Sequence, residues 1–471
     1  MRHAVPFFAA WAALAAGAAA LGMAGAAPAL AATTLQDADD DIDDDIADDI
    51  DDDVGEEIDD DVAEQIDDEL DDELDDDIDD DIDDDVDRDM VRGAAAGLSG
   101  AERLDAAARR SIAFELERDA EGAVEREWAV LAARGNAAAL RRAGFDVLER
   151  RAMRAIGGAL YRVRAPASLD AETIARRLRA IDPDAIVDRN HLYAPQADGA
   201  PATSPADLAA SIDDLGGEGL VIGVIDGGAD RRHPALRRAD IETAAFLGGG
   251  RAAMRHGTSV LSVLVGESPG FRGLAPKAKV RLASALVETS GGAQTATVAG
   301  LVASLDWLAA SRTPVVLMSL AGPPNALLER AVATARDRGA VLVAAVGNRG
   351  PAAAPLYPSA YDGVLGVSAV DASGVPYRLS GRGPHVDFAA PGVGVRAAEA
   401  GGGFQSVSGT SLAAPFVAAS VCALRREHAS AADAVAALAA RVEDLGAPGR
   451  DPVYGFGSVG RRAASERSGS P

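Results

Sequence analysis

The stretch Val221-Ile222-Gly223-Val224-Ile225-Asp226-Gly227-Gly228 decides the fold. Four β-branched residues around one glycine, ended by an acid and two glycines, read as a buried strand that stops at a turn. Similar apolar runs recur at 280–285, 315–318, 341–344 and 364–367. Helical patterns lie between or after them, near 259–265, 293–310, 326–338 and 411–426. Short apolar strands alternating with helices imply an α/β unit, its parallel sheet covered by helices on both faces.

In such a sheet, functional groups collect at the carboxyl ends of the strands. Asp226 falls at that edge, although an Asp before two glycines also suits a simple turn. His256 follows in Arg255-His256-Gly257-Thr258-Ser259, at an expected helix start. Ser411 opens an apolar helix in Gly409-Thr410-Ser411-Leu412-Ala413-Ala414-Pro415, where a serine also serves as an N-cap. Asn348 follows a strand in Val346-Gly347-Asn348-Arg349-Gly350, again a common turn composition. Each residue alone has a structural explanation. Asp, then His, then Ser, with an Asn between the last two, is a chain order known for an activated serine nucleophile.

Seven short motifs in one order carry a resemblance. They are Val224-Ile225-Asp226-Gly227-Gly228, His256-Gly257-Thr258, Met318-Ser319-Leu320, Val346-Gly347-Asn348, Ala390-Pro391-Gly392, Gly409-Thr410-Ser411 and Tyr454-Gly455-Phe456-Gly457. The sequence resembles the subtilisin-like serine proteases (subtilases) from Leu220 to about Ala464. The resemblance implies a peptide-cleaving enzyme in which His256 serves as base and then acid. Asp226 would orient the imidazole, and Ser411 would be the nucleophile. Asn348 would donate to the oxyanion together with the Ser411 backbone N–H. Ser319, Leu320 and Ala321 would run beside the substrate backbone, and Gly347 would help shape the specificity pocket.

The sequence departs from the family pattern at several places. Ser259 stands where a second His is usual, Leu412 where a Met follows the nucleophile, and Gly227 where a Ser or Thr follows the Asp. Ala321-Gly322-Pro323-Pro324 replaces a plain Gly-Gly and is expected to narrow or stiffen the substrate groove. None removes a group that the chemistry needs. His233 resembles a structural segment of the family, while His385 and His428 read as ordinary residues. The single cysteine, Cys422, lies in an apolar helix and reads as a small buried hydrophobe. Calcium commonly stabilises the family; its usual ligand loops find no match here, so no metal site is assigned. No cofactor is required for the chemistry.

Upstream, residues 124–193 read as β-α-β-β-α-β, the split βαβ order. Strands are expected at 128–131, 145–148 and 159–163, with a last one from Ile186 toward Tyr193. Short helices fill 136–143 and 170–181, the second with Asp170 as N-cap and Asp182-Pro183 as its stop. This small α+β unit resembles the inhibitory and fold-assisting propeptide of subtilases. By that analogy Asn190-His191-Leu192-Tyr193 fills the groove and the chain is cut after Tyr193. Residues 194–213, rich in Ala, Pro, Ser and Asp, read as a linker. The catalytic unit is expected over 214–464 and a loose tail over 465–471.

The N-terminal third has a different chemistry. Residues 1–31 read as an export signal, with Arg2 and His3, a long apolar run, and Ala29-Leu30-Ala31 before the cut. Residues 37–90 hold 35 acidic side chains and one basic one, Arg88. That window carries −34 of the net −29, leaving the rest of the chain at +5. An aliphatic residue recurs at every fourth position, from Ile42 to Met90. Four residues turn a helix by about 400°, so the apolar stripe winds round it and presents no fixed face. A disordered, solvated repeat is the plain reading; a segment that folds when cations neutralise it is the sharper one. Residues 91–123 read as a polar helical spacer.

One cysteine excludes an intrachain disulfide framework and a zinc ribbon. No phosphate-binding G-x-x-x-x-G-K-[ST] pattern occurs. The reading is therefore an exported, self-processing serine endopeptidase. Its partners are peptide substrates and its own propeptide, with no nucleic acid and no stable membrane insertion once the signal is removed. A periplasmic, cell-surface or secreted location all fit. Two alternatives stay open: a catalytically inactive binding module of the same fold, and a cation- or surface-binding protein dominated by the acidic repeat.

Overall fold

The computed structural model describes residues 122–133, 137–195, 198–199 and 217–460. The expected leader, acidic repeat and tail lie outside the described residues, as do most of the polar spacer and of the linker.

The first elements are β1 (Ala123–Ala132), α1 (Ala137–Arg142), β2 (Asp146–Ala152), β3 (Ala159–Arg164), α2 (Ala171–Ile181) and β4 (Ile186–Pro195). The strands pair antiparallel in the order β2-β3-β1-β4. Strand side chains alternate between faces. Trp128, Val130, Tyr161 and Val163 therefore meet Leu140 of α1 and Ile174 and Leu178 of α2. Asp170 caps α2 as expected, its Oδ1 accepting from the Thr173 N–H at 2.7 Å. β1 starts before the expected Trp128. Arg126 sits at φ 57° and the pairing with β4 shifts register there. Such a bulge interrupts the alternation that marks a strand in sequence.

β5 (Asp198–Gly199), β6 (Val221–Asp226), β7 (Ile241–Ala245) and α3 (Arg255–Val265) come next. A hairpin of β8 (Glu267–Ser268) and β9 (Phe271–Arg272) leads to β10 (Lys279–Ser284), β11 (Val287–Glu288) and β12 (Gln294–Thr297). Then follow α4 (Val298–Ala310), β13 (Val315–Met318), β14 (Leu320–Ala321) and α5 (Ala326–Asp337). The remaining elements are β15 (Val341–Ala345), β16 (Val364–Val370), β17 (Phe388–Pro391), β18 (Val395–Ala398), β19 (Phe404–Ser408), α6 (Thr410–Glu427) and α7 (Ala431–Ala439).

Seven of these strands form one sheet in the order β17-β16-β15-β13-β6-β10-β7. Every neighbouring pair is parallel. Ile222, Val224, Leu282 and Leu317 pack with Val260 and Leu264 of α3 and Phe416 of α6. Ile225, Val316 and Leu342 face the other way, toward Leu305 of α4 and Leu328 of α5. Gly223 points at α4. A Cβ there would lie 2.9 Å from Leu308 and 3.0 Å from Thr313, so glycine lets the helix approach this strand.

The expected helix over 293–310 begins only at Val298. Its first residues form β12 instead, and Thr297 caps the helix by accepting from the Gly300 N–H at 3.2 Å. The cause is tertiary: Ala296 and Thr297 pair antiparallel with Tyr193 and Leu192 of β4. On the opposite edge, Ala321 and Leu320 of β14 pair with Ala194 and Pro195. β4 thus runs past the expected end at Tyr193, and the linker expected from Ala194 starts as strand. Proline and alanine composition hid this, because the ladder partners lie in the second half of the chain.

The free face of the small sheet lies on α4 and α5, where Ala129, Leu131 and Leu160 join their apolar cluster. Polar contacts cross this boundary both ways. Asp188 Oδ2 accepts from Ala326 N–H at the start of α5 at 2.9 Å. Asn190 Oδ1 accepts from Ala299 N–H at the start of α4 at 3.2 Å. These satisfy first-turn donors that a helix cannot satisfy itself. In return, buried Asp306 of α4 accepts from the N–H groups of Arg154, Ala155 and Ile156 at 2.8, 2.7 and 2.8 Å. Hydrogen bonds to a charged group contribute about 1.5–3 kcal/mol together with the desolvation they offset. Asp306→Ala is therefore expected to speed hydrogen exchange of those three amides by roughly 10- to 150-fold. Unchanged protection would show that the carboxylate does not hold the turn.

Candidate active site

β6 is an inner strand of the parallel sheet, between β13 and β10, and its last residue, Asp226, is fully buried. A carboxylate there must be paired. Asp226 Oδ1 accepts from Gly227 N–H at 2.6 Å. Both Asp226 oxygens lie 2.9 Å from His256 Nδ1. Gly227 and Gly257 make this approach feasible. A Cβ on Gly227 would lie 2.0 Å from the Ala253 carbonyl oxygen, and one on Gly257 2.5 Å from that of Gly228. The imidazole stands in the first turn of α3, with the His256 N–H donating to Gln294 Oε1 at 3.3 Å. Its other nitrogen, Nε2, lies 3.1 Å from Ser411 Oγ in the first turn of α6. All three side chains are buried. The contact of Asp226 with Nδ1 leaves Nε2 facing the serine, the arrangement in which a hydroxyl can pass its proton to the ring.

Asn348 is fixed by the residue before Ser411. Asn348 Oδ1 accepts from Thr410 N–H at 3.2 Å and from Thr410 Oγ1 at 3.0 Å. Thr410 Oγ1 in turn accepts from Gly347 N–H at 3.2 Å. With its oxygen committed, the Asn348 amide is held in one rotation. Gly347 has φ 95°, a conformation that side chains disfavour. Ser319 donates from Oγ to the Ser411 carbonyl at 3.2 Å, so it supports the backbone at the start of α6. Leu320 and Ala321 pair with Pro195 and Ala194 of β4.

The matching family model decides the affiliation: the model of the subtilase family covers residues 217–457. The chain belongs to the subtilase family. It is a subtilisin-like member of the serine-type endopeptidases. Minor extracellular protease Epr of Bacillus subtilis (strain 168) is 29% identical over 259 residues, which cover 54% of this chain and 40% of Epr. Subtilisin Savinase of Lederbergia lenta is 32% identical over 222 residues, covering 46% and 80%. Subtilisin E of Bacillus subtilis (strain 168) is 28% identical over 317 residues, covering 64% and 80%. The chain thus spans well under half of Epr and four fifths of each of these two subtilisins.

The subtilase motifs that depart from the usual pattern have structural partners. Ser259 donates from Oγ to the Ala398 carbonyl at 3.0 Å and accepts from Gln405 Nε2 at 3.3 Å, tying α3 to β18 and β19. His233 bridges the Gly403 carbonyl at 2.6 Å and the Ala235 N–H at 3.1 Å. His428 closes the C-terminal end of α6. Among the described residues, no group of three or more His, Cys, Asp or Glu could hold a metal ion.

The sequence reading expects the cut after Tyr193. It sits inside a ladder, opposite Ala296, with its carbonyl accepting from Thr295 Oγ1 at 3.0 Å. The chain continues opposite Leu320, and then reappears as β5, where Asp198 and Gly199 pair with Ser408 and Val407 of β19. β14 follows Ser319, and β19 leads into Gly409, Thr410 and Ser411. β4 ends beside β14 at Pro195, and β5 lies beside β19 from Asp198. The strand on the other side of β4, β12, was missed in the sequence, where Gln294-Thr295-Ala296-Thr297 merged into a helical pattern; the alternating Thr295 and Thr297 were the only local signal.

Cys422 is remote in function from this edge. Its thiol donates to the Val221 carbonyl at 3.5 Å, at the amino end of β6. Burial pushes its pKa up to about 11. At pH 8 only about one molecule in a thousand would carry the reactive thiolate. The folded protein is expected to resist a thiol-specific reagent at pH 8 and to take up one equivalent after denaturation. Rapid uptake by the native protein would contradict the burial.

Proposed function

We propose that this subtilase is an exported serine endopeptidase made as a self-inhibited precursor that cuts itself once and then other peptides. The carrying observation is the buried Asp226–His256–Ser411 relay with the chain's own β4 and β5 laid along the two walls beside it. In this reading residues 124–195 are a propeptide, and the acidic repeat precedes it. The subtilisin E match supports the first part. A share of 64% of the chain is too large to fit between Gly217 and the C terminus, so the likeness reaches into the small α/β layer.

Ser411 Oγ attacks the carbonyl carbon of the peptide, and its proton passes to His256 Nε2. Asp226 stabilises the imidazolium through Nδ1. The oxyanion is met by Asn348 Nδ2 and by the Ser411 N–H in the first turn of α6. Collapse breaks the C–N bond as His256 returns its proton to the leaving nitrogen. The acyl group remains as an ester on Ser411. Water then attacks that ester while His256 takes its proton, the carboxylate product leaves, and Ser411 regains its hydrogen. No cofactor enters any step.

Leu320 and Ala321 on one side and Ala296 on the other hold the acyl portion of the substrate as a third strand. The precursor uses the same ladder for its own β4, which keeps other peptides out. The inactive-module alternative is disfavoured by the presence and contacts of all four groups. Export rests on the leader read in residues 1–31. It agrees with the extracellular character in Epr's name. No helix among the described residues is long and apolar enough to cross a membrane.

Intact-mass and N-terminal analysis tests the proposal. The wild type is expected to begin at a residue from 196 to 198, and the Ser411→Ala and His256→Ala variants to keep the small layer attached. Asn348→Leu is expected to slow processing by roughly 10²–10³-fold. Equal processing of wild type and Ser411→Ala would assign the cut to another protease. A new terminus at Ala194 would restore the cut after Tyr193 and refute the register reading.

A further inference from the structure

Burial without a partner singles out one hydroxyl beside the relay. Ser284, the last residue of β10, is 2% exposed. Its Oγ has no hydrogen-bond partner among the described residues. A buried hydroxyl left unpaired is costly, and native structures rarely keep one without a use. The position of this one points to its use. β10 and β6 are parallel neighbours, and Ser284 stands in register with Asp226. Side chains alternate between the faces of a strand. Leu282 and Val224 both join the apolar cluster of α3 and α6, whereas Ala283 and Ile225 join that of α4 and α5. Ser284 and Asp226 therefore project side by side on the face that carries His256 and Ser411. The acceptor there is short of donors. Asp226 Oδ1 takes the Gly227 N–H at 2.6 Å and faces His256 Nδ1 at 2.9 Å, while Oδ2 has His256 Nδ1 alone, at 2.9 Å. An ionised carboxylate accepts about four hydrogen bonds. Gly227 stands where the family pattern has Ser or Thr, so no hydroxyl comes from that side. Arg255, beside His256 in the chain, pairs instead with Glu288 at 3.4 Å.

We propose that Ser284 is a positioning residue of the relay: its hydroxyl donates to Asp226 Oδ2 and fixes the carboxylate against His256. This deepens the peptidase reading above and rests on it. The contact needs a change of staggered rotamer at Ser284 and no movement of the backbone. Neighbouring strands lie about 4.8 Å apart, and a hydroxyl-to-carboxylate hydrogen bond spans about 2.6 Å. The hydroxyl passes no proton to the ring. It draws charge from the carboxylate, so Asp226 orients the imidazole without binding the imidazolium too tightly to release its proton.

The test compares the processed wild type with processed Ser284→Ala and Ser284→Thr. Two readouts are followed against pH: kcat/KM on a peptide with the sequence of residues 190–201, and the low-field proton resonance of the Asp226–His256 hydrogen bond. Without the hydroxyl, more carboxylate charge falls on the imidazole, which then keeps its proton to higher pH. Ser284→Ala is therefore expected to move the acid limb upward by roughly 0.3 to 1 pH unit. Its plateau should fall by roughly 2- to 12-fold, the range of one hydrogen bond. The low-field resonance should titrate at the same raised midpoint. Ser284→Thr keeps a hydroxyl and is expected to hold the wild-type limb. A hydroxyl with no partner predicts the reverse: Ser284→Ala would melt higher and match wild type in limb, plateau and resonance. That result overturns the proposal. An equal shift in the Ala and Thr variants overturns it as well, by assigning the effect to packing. A peptide left uncut by wild type, with the resonance still moved in Ser284→Ala, refutes the peptidase reading and leaves the contact standing.

Discussion

A parallel sheet buries both of its faces, and most of this molecule follows from meeting that demand. α3 and α6 cover one face of the seven strands and α4 and α5 cover the other. The strands must therefore be apolar on both sides, which leaves polar function only at their ends. Asp226 stands at the end of an inner strand, His256 at the start of one covering helix and Ser411 at the start of another on the same face. Their hydrogen bonds are short because a close-packed layer brings those three ends together. A carboxylate buried there would be costly without its partners, so the packing that creates the relay also depends on it.

The second face carries a further consequence. α4 and α5 serve as cover for the large sheet and as platform for the small one. Their first-turn N–H groups receive Asn190 and Asp188 from β4, while Asp306 returns three hydrogen bonds to the β2–β3 turn. A parallel sheet assembled from distant segments closes slowly, because chain entropy is lost before contacts repay it. In the proposed precursor, an antiparallel layer that caps both helices would lower that cost in the way a template does. The same docking sends β4 between β12 and β14.

Much of this was legible from local sequence. The strand at 221–226, the helices of the small layer and the Asp170 cap follow from periodicity and capping chemistry, which are properties of neighbouring residues. The four polar residues of the site were legible through motif order. Other features were not. β12 has helix-compatible residues on either side and becomes a strand only because β4 supplies its ladder. β1 is interrupted by Arg126, whose left-handed backbone breaks the alternation. The propeptide analogy put the cut after Tyr193 and the Ala, Pro and Ser that follow read as a linker, while the partners of Tyr193 lie 102 and more residues downstream.

What the sequence determined by itself is the main strands and helices and the four polar residues that meet at the site. Apolar period, glycine and capping residues act over a few neighbours, and an ordered set of motifs names the chemistry. Only the tertiary structure decided which segment lies between β12 and β14, and in what register. Register between strands far apart in the chain depends on backbone hydrogen bonds that any residue can make. Those bonds leave no mark on side-chain identity. Tyr193 meets Gly322 and the Pro323 carbonyl only because β4 is laid across them.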